Sequence, residues 1–279
     1  MLRVLPRSRF DLRHADHPDA AVTPGTVGPG LPDNPDVAVL HSYEAGSCVD
    51  GPGIRMVLFT AGCMLRCQFC HNPDTWFRTA GSVVTADDLL DEIGRYADFL
   101  RGCNGGITFS GGEPLFHWPF VHRVCTETRR RFQLHTAIQT AGFLGFRVRD
   151  DQLADIDLWM VDLKSADPKR YRDVTGVEQT NMLQLLRRLH AARRPTWVSY
   201  VLVPGLTDDP AHIDAMAELL APMTNLTRVE IRPFHQLGRD KWKALGLHYP
   251  LENTPPATAE QTELVVARLK QAGLPAVSA

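Results

Sequence analysis

The chain has 279 residues, 44% hydrophobic and 22% charged, a composition typical of globular proteins with a full core, which excludes wholesale disorder. Its 30 basic and 32 acidic side chains give a formal net charge of −2, so neither nucleic acid nor an anionic membrane surface is favoured as a partner. No run reaches the ~20 consecutive apolar residues of a membrane span, and the N-terminus lacks the apolar core of a secretory signal. Six cysteines are too few for a disulfide scaffold, and a reducing, cytoplasmic location is expected.

The first part of the chain differs from the rest. Residues 1 to about 38 contain six prolines, scattered glycine and aspartate and no apolar periodicity, so ordering them would bury little surface. We therefore expect a flexible N-terminal extension over residues 1–38 and one core domain over residues 39–279 that ends in a helix. An over-long start-site assignment would also explain this extension.

From Arg55 onward, short β-rich runs alternate with longer helical patterns, which indicates successive βα units and a parallel sheet. The predicted strands are Arg55–Phe59, Ile107–Ser110, Thr136–Thr140, Leu158–Asp162, Trp197–Val203 and Val229–Pro233. The predicted helices are Thr85–Leu100, His117–Phe132, Glu178–Ala192, Pro210–Leu220 and Ala257–Ala272. Six such units predict an α/β fold, either an incomplete barrel or an open sheet.

Three cysteines lie within eight residues directly after the first predicted strand: Cys63, Cys67 and Cys70. Iron–sulfur clusters prefer soft thiolate ligands, and three thiolates would leave one iron of a cubane open to bind a substrate. Two other interpretations stay open at this point. The thiols could be small buried residues on one helix face, or they could hold a structural zinc together with His71. The other cysteines, Cys48, Cys103 and Cys125, are expected to be packing residues.

Glycine or polar side chains follow three of the later predicted strands. They are Gly111, Gly112 and Glu113 after the second strand, Asp162, Leu163 and Lys164 at the end of the fourth, and His235 after the sixth. The carboxyl ends of barrel strands carry the chemistry in this type of fold. We therefore expect these residues and the cysteine loop to meet at one rim. Asp162 and Lys164, two residues apart on a strand, face the same side and can also simply pair with each other.

Taken together, these motifs resemble those of the radical S-adenosylmethionine (SAM) enzymes and, more narrowly, of the pyruvate formate-lyase-activating enzymes. The similarity runs in order and spacing from about residue 38 to residue 245. Besides Cys-x3-Cys-x2-Cys, the matching segments are His41-Ser-Tyr-Glu44, Val49-Asp-Gly-Pro-Gly-Ile-Arg55, Gly62-Cys63, Cys70-His-Asn-Pro-Asp-Thr-Trp76, Ser110-Gly-Gly-Glu113, Val161-Asp-Leu-Lys164, Val203-Pro-Gly205 and Pro233-Phe-His-Gln-Leu-Gly238.

The resemblance implies a partial (β/α)6 TIM-like barrel of the radical SAM type, with one [4Fe-4S] cluster on Cys63, Cys67 and Cys70 and with SAM at the fourth iron. The implied activity is that of an oxidoreductase of anaerobic metabolism (EC 1.97.1.4). SAM would be cleaved reductively at the cluster, and the 5′-deoxyadenosyl radical would remove hydrogen from a glycine of pyruvate formate-lyase. A flavodoxin or ferredoxin is the implied electron donor.

The resemblance also assigns contacts to individual positions of this chain. Contacts to the protein substrate are implied for Asp50, Gly51 and Gly53. The implied SAM contacts are Phe69, Cys70, His71, Gly111, Gly112, Glu113, Asp162, Leu163, Lys164 and His235.

Two segments depart from the family pattern. Gln139-Thr-Ala-Gly142 stands where the family has Asp-Thr-Asn-Gly, and Trp197-Val-Ser-Tyr200 stands where Trp-Ile-Arg-Tyr is frequent. The missing carboxylate leaves open whether a cation site shared with Asp162 survives. The missing arginine removes a basic contact to the cofactor. Both departures are consistent with altered affinity or with a different glycyl-radical partner.

Other functions remain open on the sequence alone. The chain could activate a different glycyl-radical enzyme, act on a small molecule as a radical SAM enzyme, or be a zinc-binding module without catalysis. Activases of several other glycyl-radical enzymes carry an eight-cysteine insertion after the first motif, whereas residues 71–102 here contain no cysteine. This favours the pyruvate formate-lyase type.

Overall fold

Residues 33–279 are described by the computed structural model, which arranges nine strands in one sheet. The strands are β1 Val37–Ser47, β2 Arg55–Thr60, β3 Ser82–Thr85, β4 Gly106–Gly111, β5 His135–Thr140, β6 Leu158–Asp162, β7 Thr196–Leu202, β8 Leu226–Pro233 and β9 Ala276–Ser278. The α-helices are α1 Ala86–Gly102, α2 Trp118–Phe132, α3 Pro168–Thr175, α4 Thr180–Ala191, α5 Pro210–Leu220, α6 Arg239–Ala244 and α7 Ala259–Gln271.

The sheet has the order β3-β1-β2-β4-β5-β6-β7-β8-β9. From β2 to β9 all neighbouring strands are parallel, while β1 is antiparallel to both β2 and β3. The sheet does not close, since β3 and β9 are its edges. The six predicted strands correspond to β2 and β4–β8, so the predicted partial barrel is confirmed.

Three strands and two helices were not predicted from the sequence. The strands β1 and β3 form an antiparallel edge beside β2, and β9 adds a short edge next to β8. The helices α3 and α6 have eight and six residues, too few for a clear helical period. Of the predicted N-terminal extension, residues 1–32 lie outside the described residues. The strand β1 begins at Val37, ahead of the predicted boundary.

Side chains along each parallel strand alternate between two faces of the sheet. In β8, Val229 and Ile231 are fully buried in the main core between the sheet and the helices. The opposite face, called here the inner face, therefore receives the alternate residues. Toward the carboxyl ends of the strands, the residues of this inner face include Phe59, Ser110, Gln139, Asp162, Ser199, Glu230 and Arg232. Within residues 33–279, no helix combines the length and the apolar character needed to cross a membrane.

Candidate functional site

The cysteine loop, residues 61–72, follows β2 and is fixed by backbone hydrogen bonds on two sides. One side is the short 3₁₀ turn Pro73–Trp76, and the other is the carboxyl end of α3. The bonds run from Gly62 N to Thr75 O (2.8 Å), Cys63 N to Trp76 O (3.1 Å), Arg66 N to Thr175 O (2.8 Å) and Gln68 N to Val174 O (3.0 Å). The loop is therefore held in one conformation by segments that flank it in space.

The three thiols of this loop are free and largely withdrawn from solvent, with Cys67 only 8% exposed. Burial raises the pKa of all three, that of Cys70 to about 12, and the mutual proximity of the thiols adds to the rise for Cys63 and Cys70. Lys164 opposes this for Cys67 and Cys70. Three soft sulfur donors, one buried and two partly buried, beside the cation Lys164 fit an iron–sulfur cluster, whose irons would stabilise the thiolates.

The zinc interpretation would need a compact set of ligands. Within residues 33–279, no three His, Cys, Asp or Glu side chains are arranged to hold a single metal ion. His71, the fourth ligand in that interpretation, lies instead beside His235, with their ring centroids 5.6 Å apart. The structure thus brings together two of the predicted SAM-binding histidines and gives no preformed single-ion site among the described residues.

Two residues that the sequence analysis missed support the loop. Arg66 donates from Nη1 to the carbonyl oxygens of Cys63 and Leu65, both at 2.8 Å, and its guanidinium lies 4.8 Å from the ring centroid of Trp76. Trp242, in α6, donates from Nε1 to the carbonyl oxygen of Cys70 at 2.7 Å. The sequence carries only a weak signal for Arg66, its position between two cysteines, and none for Trp242.

Gly238 lets the segment before α6 approach the cysteine loop closely. A Cβ atom there would lie 2.6 Å from His71 Cα and 3.0 Å from the carbonyl oxygen of Cys70. We expect Gly238→Ala to displace this segment, weaken the Trp242 hydrogen bond and lower stability by about 1–3 kcal/mol. Denaturant unfolding and iron retention measure the effect. Gly102→Ala is the control, because a Cβ there meets nothing within 4 Å; equal behaviour of the two variants would contradict the prediction.

The glycine pair after β4 packs directly on the start of the cysteine loop. Gly111 has φ +104°, and a Cβ on Gly112 would lie 2.4 Å from the carbonyl oxygen of Gly62. The N–H of Glu113 donates to the same carbonyl at 2.8 Å. Glycine is therefore required at both positions, and the backbone of this segment borders the predicted cluster site.

The carboxylate of Glu113 is buried and hydrogen-bonded within the protein. The side chain is 1% exposed and accepts hydrogen bonds from Thr140 Oγ1 (2.6 Å), Leu115 N (3.1 Å) and Ala141 N (3.0 Å). It thereby joins the carboxyl ends of β4 and β5. Burial raises the pKa of Glu113 to about 7, although these hydrogen bonds act in the opposite direction. The predicted contact of Glu113 with SAM would thus have to come from its backbone.

This raised pKa gives a pH prediction for Glu113→Gln. Because the pKa of Glu113 rises from 4.5 to about 7 on folding, the folded chain retains a proton that the unfolded chain releases in that range. The free energy of unfolding of the native chain should therefore fall as the pH rises through this window, relative to the variant, which has no carboxyl group to titrate. Denaturant unfolding of both apoproteins at about pH 5 and about pH 7.5 tests this. Parallel pH profiles would contradict it.

Asp162 and Lys164 form an ion pair near the cysteine loop, with Lys164 Nζ 3.0 Å from Asp162 Oδ2. Burial alone would raise the pKa of Asp162, but Lys164, Arg232 and the Ser199 hydrogen bond lower it below its usual value. Lys164 Nζ also lies 5.6 Å from the ring centroid of Phe69. The structure thus brings three predicted SAM-binding residues together. Leu163 points into the main core, so only its backbone can reach a ligand.

The two departures from the family pattern meet at Asp162. Gln139 Nε2 donates to Asp162 Oδ1 at 3.2 Å, and the Ser199 hydroxyl donates to the same oxygen. A neutral amide and a neutral hydroxyl thus surround the carboxylate on the neighbouring strands β5 and β7. Both positions, which lack the family's charged groups, thus supply hydrogen bonds to Asp162.

The segment Asp50–Gly53 lies elsewhere. It precedes β2, so it lies at the amino ends of the parallel strands, whereas the cysteine loop follows their carboxyl ends. Two hydrogen bonds fix it: Arg55 Nη1 donates to Pro52 O (3.2 Å), and Thr108 Oγ1, itself bonded by Arg55 Nε, donates to Asp50 O (2.7 Å). Gly51 and Gly53 have φ of +128° and +68°. The structure therefore places these residues apart from the cysteine loop, at the other end of β2.

Comparison with known proteins agrees with the family resemblance of the motifs. Residues 57–220 match the family model "Radical SAM superfamily". The chain is 40% identical over 228 residues to a pyruvate formate-lyase-activating enzyme of Staphylococcus epidermidis, covering 79% of this chain and 90% of that protein. The chain belongs to the radical SAM superfamily, among the pyruvate formate-lyase-activating enzymes. A relative of the same name from Staphylococcus aureus is 39% identical over 221 residues, with 77% and 88% covered.

Solved radical SAM structures share the fold. A radical SAM methyltransferase from Sphaerobacter thermophilus aligns with a TM-score of 0.61 at 17% identity, over 87% of this chain and 77% of that chain. A domain of a pyruvate-formate lyase-activating enzyme from Bacteroides vulgatus aligns with a TM-score of 0.51 at 23% identity, over 63% of this chain and 99% of that one. At these identities the likeness concerns the barrel alone.

Proposed function

We propose that this radical SAM enzyme activates a pyruvate formate-lyase by generating a glycyl radical on it. The observation that carries the proposal is the cysteine loop packed against the Gly112 backbone and close to the Asp162–Lys164 pair. Family membership at about 40% identity supports the same activity. Cys63, Cys67 and Cys70 are the proposed ligands of one [4Fe-4S] cluster.

When bound, the cluster supplies the electron for reductive cleavage of SAM, which yields the 5′-deoxyadenosyl radical that removes hydrogen from the target glycine. The protein's own contribution is to bind, orient and exclude water. Phe69, Gly112 and the ion pair of Asp162 with Lys164 are the proposed SAM-binding groups, together with His71 and His235. Their partial burial removes competing water from the polar groups.

The protein substrate would reach SAM along the inner face of the sheet. We assign Asp50, Gly51 and Gly53 to contacts with the glycine-bearing segment, because these residues lie at the amino ends of the strands that carry the site. A flavodoxin or ferredoxin is the proposed electron donor, and the cytoplasm the proposed location.

The test is anaerobic reconstitution followed by incubation with SAM, a reductant and pyruvate formate-lyase. We expect stoichiometric acid-labile sulfide, 5′-deoxyadenosine and a glycyl-radical EPR signal that is lost when the target glycine is replaced by alanine. If the radical formed only on another glycyl-radical enzyme, that enzyme would replace pyruvate formate-lyase as the proposed protein substrate. Stoichiometric zinc without sulfide would overturn the proposal altogether.

A further inference from the structure

A ladder of charged side chains lines the inner face of β8 and has no role in the proposed binding of the cluster or SAM. Arg228, Glu230 and Arg232 alternate along the strand with residues of the main core. Glu230 is 6% exposed and pairs with both arginines, at 3.0 Å to Arg228 and 2.7 Å to Arg232. Three charges on the inner face of one strand require an explanation beyond packing.

Arg232 is the member of this ladder with donors left over. Its Nε and Nη2 both bind Glu230 Oε2, at 2.8 and 2.7 Å. The structure gives Nη1 no acceptor among residues 33–279, and the side chain is 26% exposed. Glu230 therefore fixes the orientation of the guanidinium group while the Nη1 hydrogens remain available for a ligand.

The strand register places Arg232 beside the proposed SAM site. Asp162 pairs with Ser199 across β6 and β7, and Ser199 pairs with Glu230 across β7 and β8. Arg232 is the next inner-face residue after this row, toward the carboxyl ends of the strands. Burial would lower the pKa of Arg232, but Glu230, Asp162 and Asp50 together raise it. Arg232 thus interacts electrostatically with Asp162 in the proposed SAM site and with Asp50 in the segment assigned to the protein substrate.

We propose that Arg232 binds the glycine-bearing segment of the protein substrate, donating from Nη1 to a main-chain carbonyl oxygen, with Glu230 as its positioning residue. The inference rests on the proposed function. Glycine offers no side chain, so a segment that presents it must be held largely through backbone groups. A charged donor that interacts electrostatically with both Asp162 and Asp50 can supply one such contact.

The test is Arg232→Leu in the reconstituted holoenzyme. We expect the KM for pyruvate formate-lyase to rise about tenfold or more, the value of one charge-assisted hydrogen bond, and to rise far more than the Kd for SAM. Arg228→Leu is the matched control, because it removes the other partner of Glu230. If unpairing of Glu230 were the cause, both variants would show the same rise.

A second variant at the same position makes the test sharper. Should Arg232→Leu fail to fold, Arg232→Lys retains the charge and removes the planar donor pair, and an increased KM is again expected. An unchanged KM in an enzyme that still forms the glycyl radical, or an equal rise in Arg228→Leu, would overturn this inference alone. Absence of any radical with the native enzyme would instead overturn the proposed function.

Discussion

Replacing Cys67 by alanine is expected to abolish SAM cleavage and to leave the barrel folded. Cys67 lies between the other two proposed ligands and packs in a small apolar cluster outside the main core. Removing one sulfur atom there costs about 1 kcal/mol in packing, while a cubane with two remaining protein ligands would not be retained. Iron and sulfide per chain, visible absorbance and 5′-deoxyadenosine formation are the measurements, with far-ultraviolet circular dichroism reporting the fold.

The control for this experiment is Cys103→Ala. Cys103 is half-buried at the end of α1 and lies outside the cysteine loop, so its variant should retain the full iron content. The same result is expected for the exposed Cys48. Normal 5′-deoxyadenosine formation in Cys67→Ala would contradict the proposed ligand set.

The second large effect is expected for Asp162→Asn. The change leaves Lys164, only 14% exposed, without its carboxylate partner at 3.0 Å. Removing one member of a buried ion pair costs about 3 kcal/mol or more, which corresponds to at least a hundredfold loss if it falls on SAM binding. We therefore expect the Kd for SAM to rise by about two orders of magnitude where the cost falls on SAM binding, and Tm to decrease where it falls on folding. Calorimetric SAM titration of the reconstituted enzyme and thermal unfolding measure the two effects separately.

Asp173→Asn is the matched control for this variant. Asp173 also pairs with a lysine, Lys169, at 2.7 Å, but both side chains are exposed on α3. Exposed pairs of this kind contribute little, so neither Tm nor SAM affinity should change noticeably. A SAM affinity of Asp162→Asn equal to that of the control would remove Asp162 from the proposed site.

The parallel sheet could be predicted because its determinants are local. Each strand from β2 to β8, apart from the edge strand β3, is a short apolar run between turn residues. Each long helix repeats its apolar residues with the helical period, and for this reason the predicted helix Pro210–Leu220 has the bounds of α5. The edge strands β3 and β9 have only four and three residues, too few for a clear pattern, and β1 pairs antiparallel with β2 and β3 outside the series of βα units.

The site was predictable to the extent that its chemistry lies in contiguous motifs. The cysteine loop, Gly112 and the Asp162–Lys164 pair were assigned in this way. The contacts of Gln139 and Ser199 with Asp162 join three strands, and no single segment contains that information. The resemblance implies a SAM contact for Glu113, and the sequence alone does not show that its carboxylate is bonded within the protein.

The anchoring of the cysteine loop also determines when, during synthesis of the chain, a cluster can be inserted. The loop spans residues 61–72, yet its supports include Val174 and Thr175 and, 172 positions after Cys70, Trp242. While a nascent chain is still being made on the ribosome, the three sulfurs emerge long before these supports exist. A cluster can therefore be inserted into the finished pocket only when nearly the whole polypeptide has left the exit tunnel. A prematurely terminated chain would carry the three proposed ligands without the segments that hold them in place.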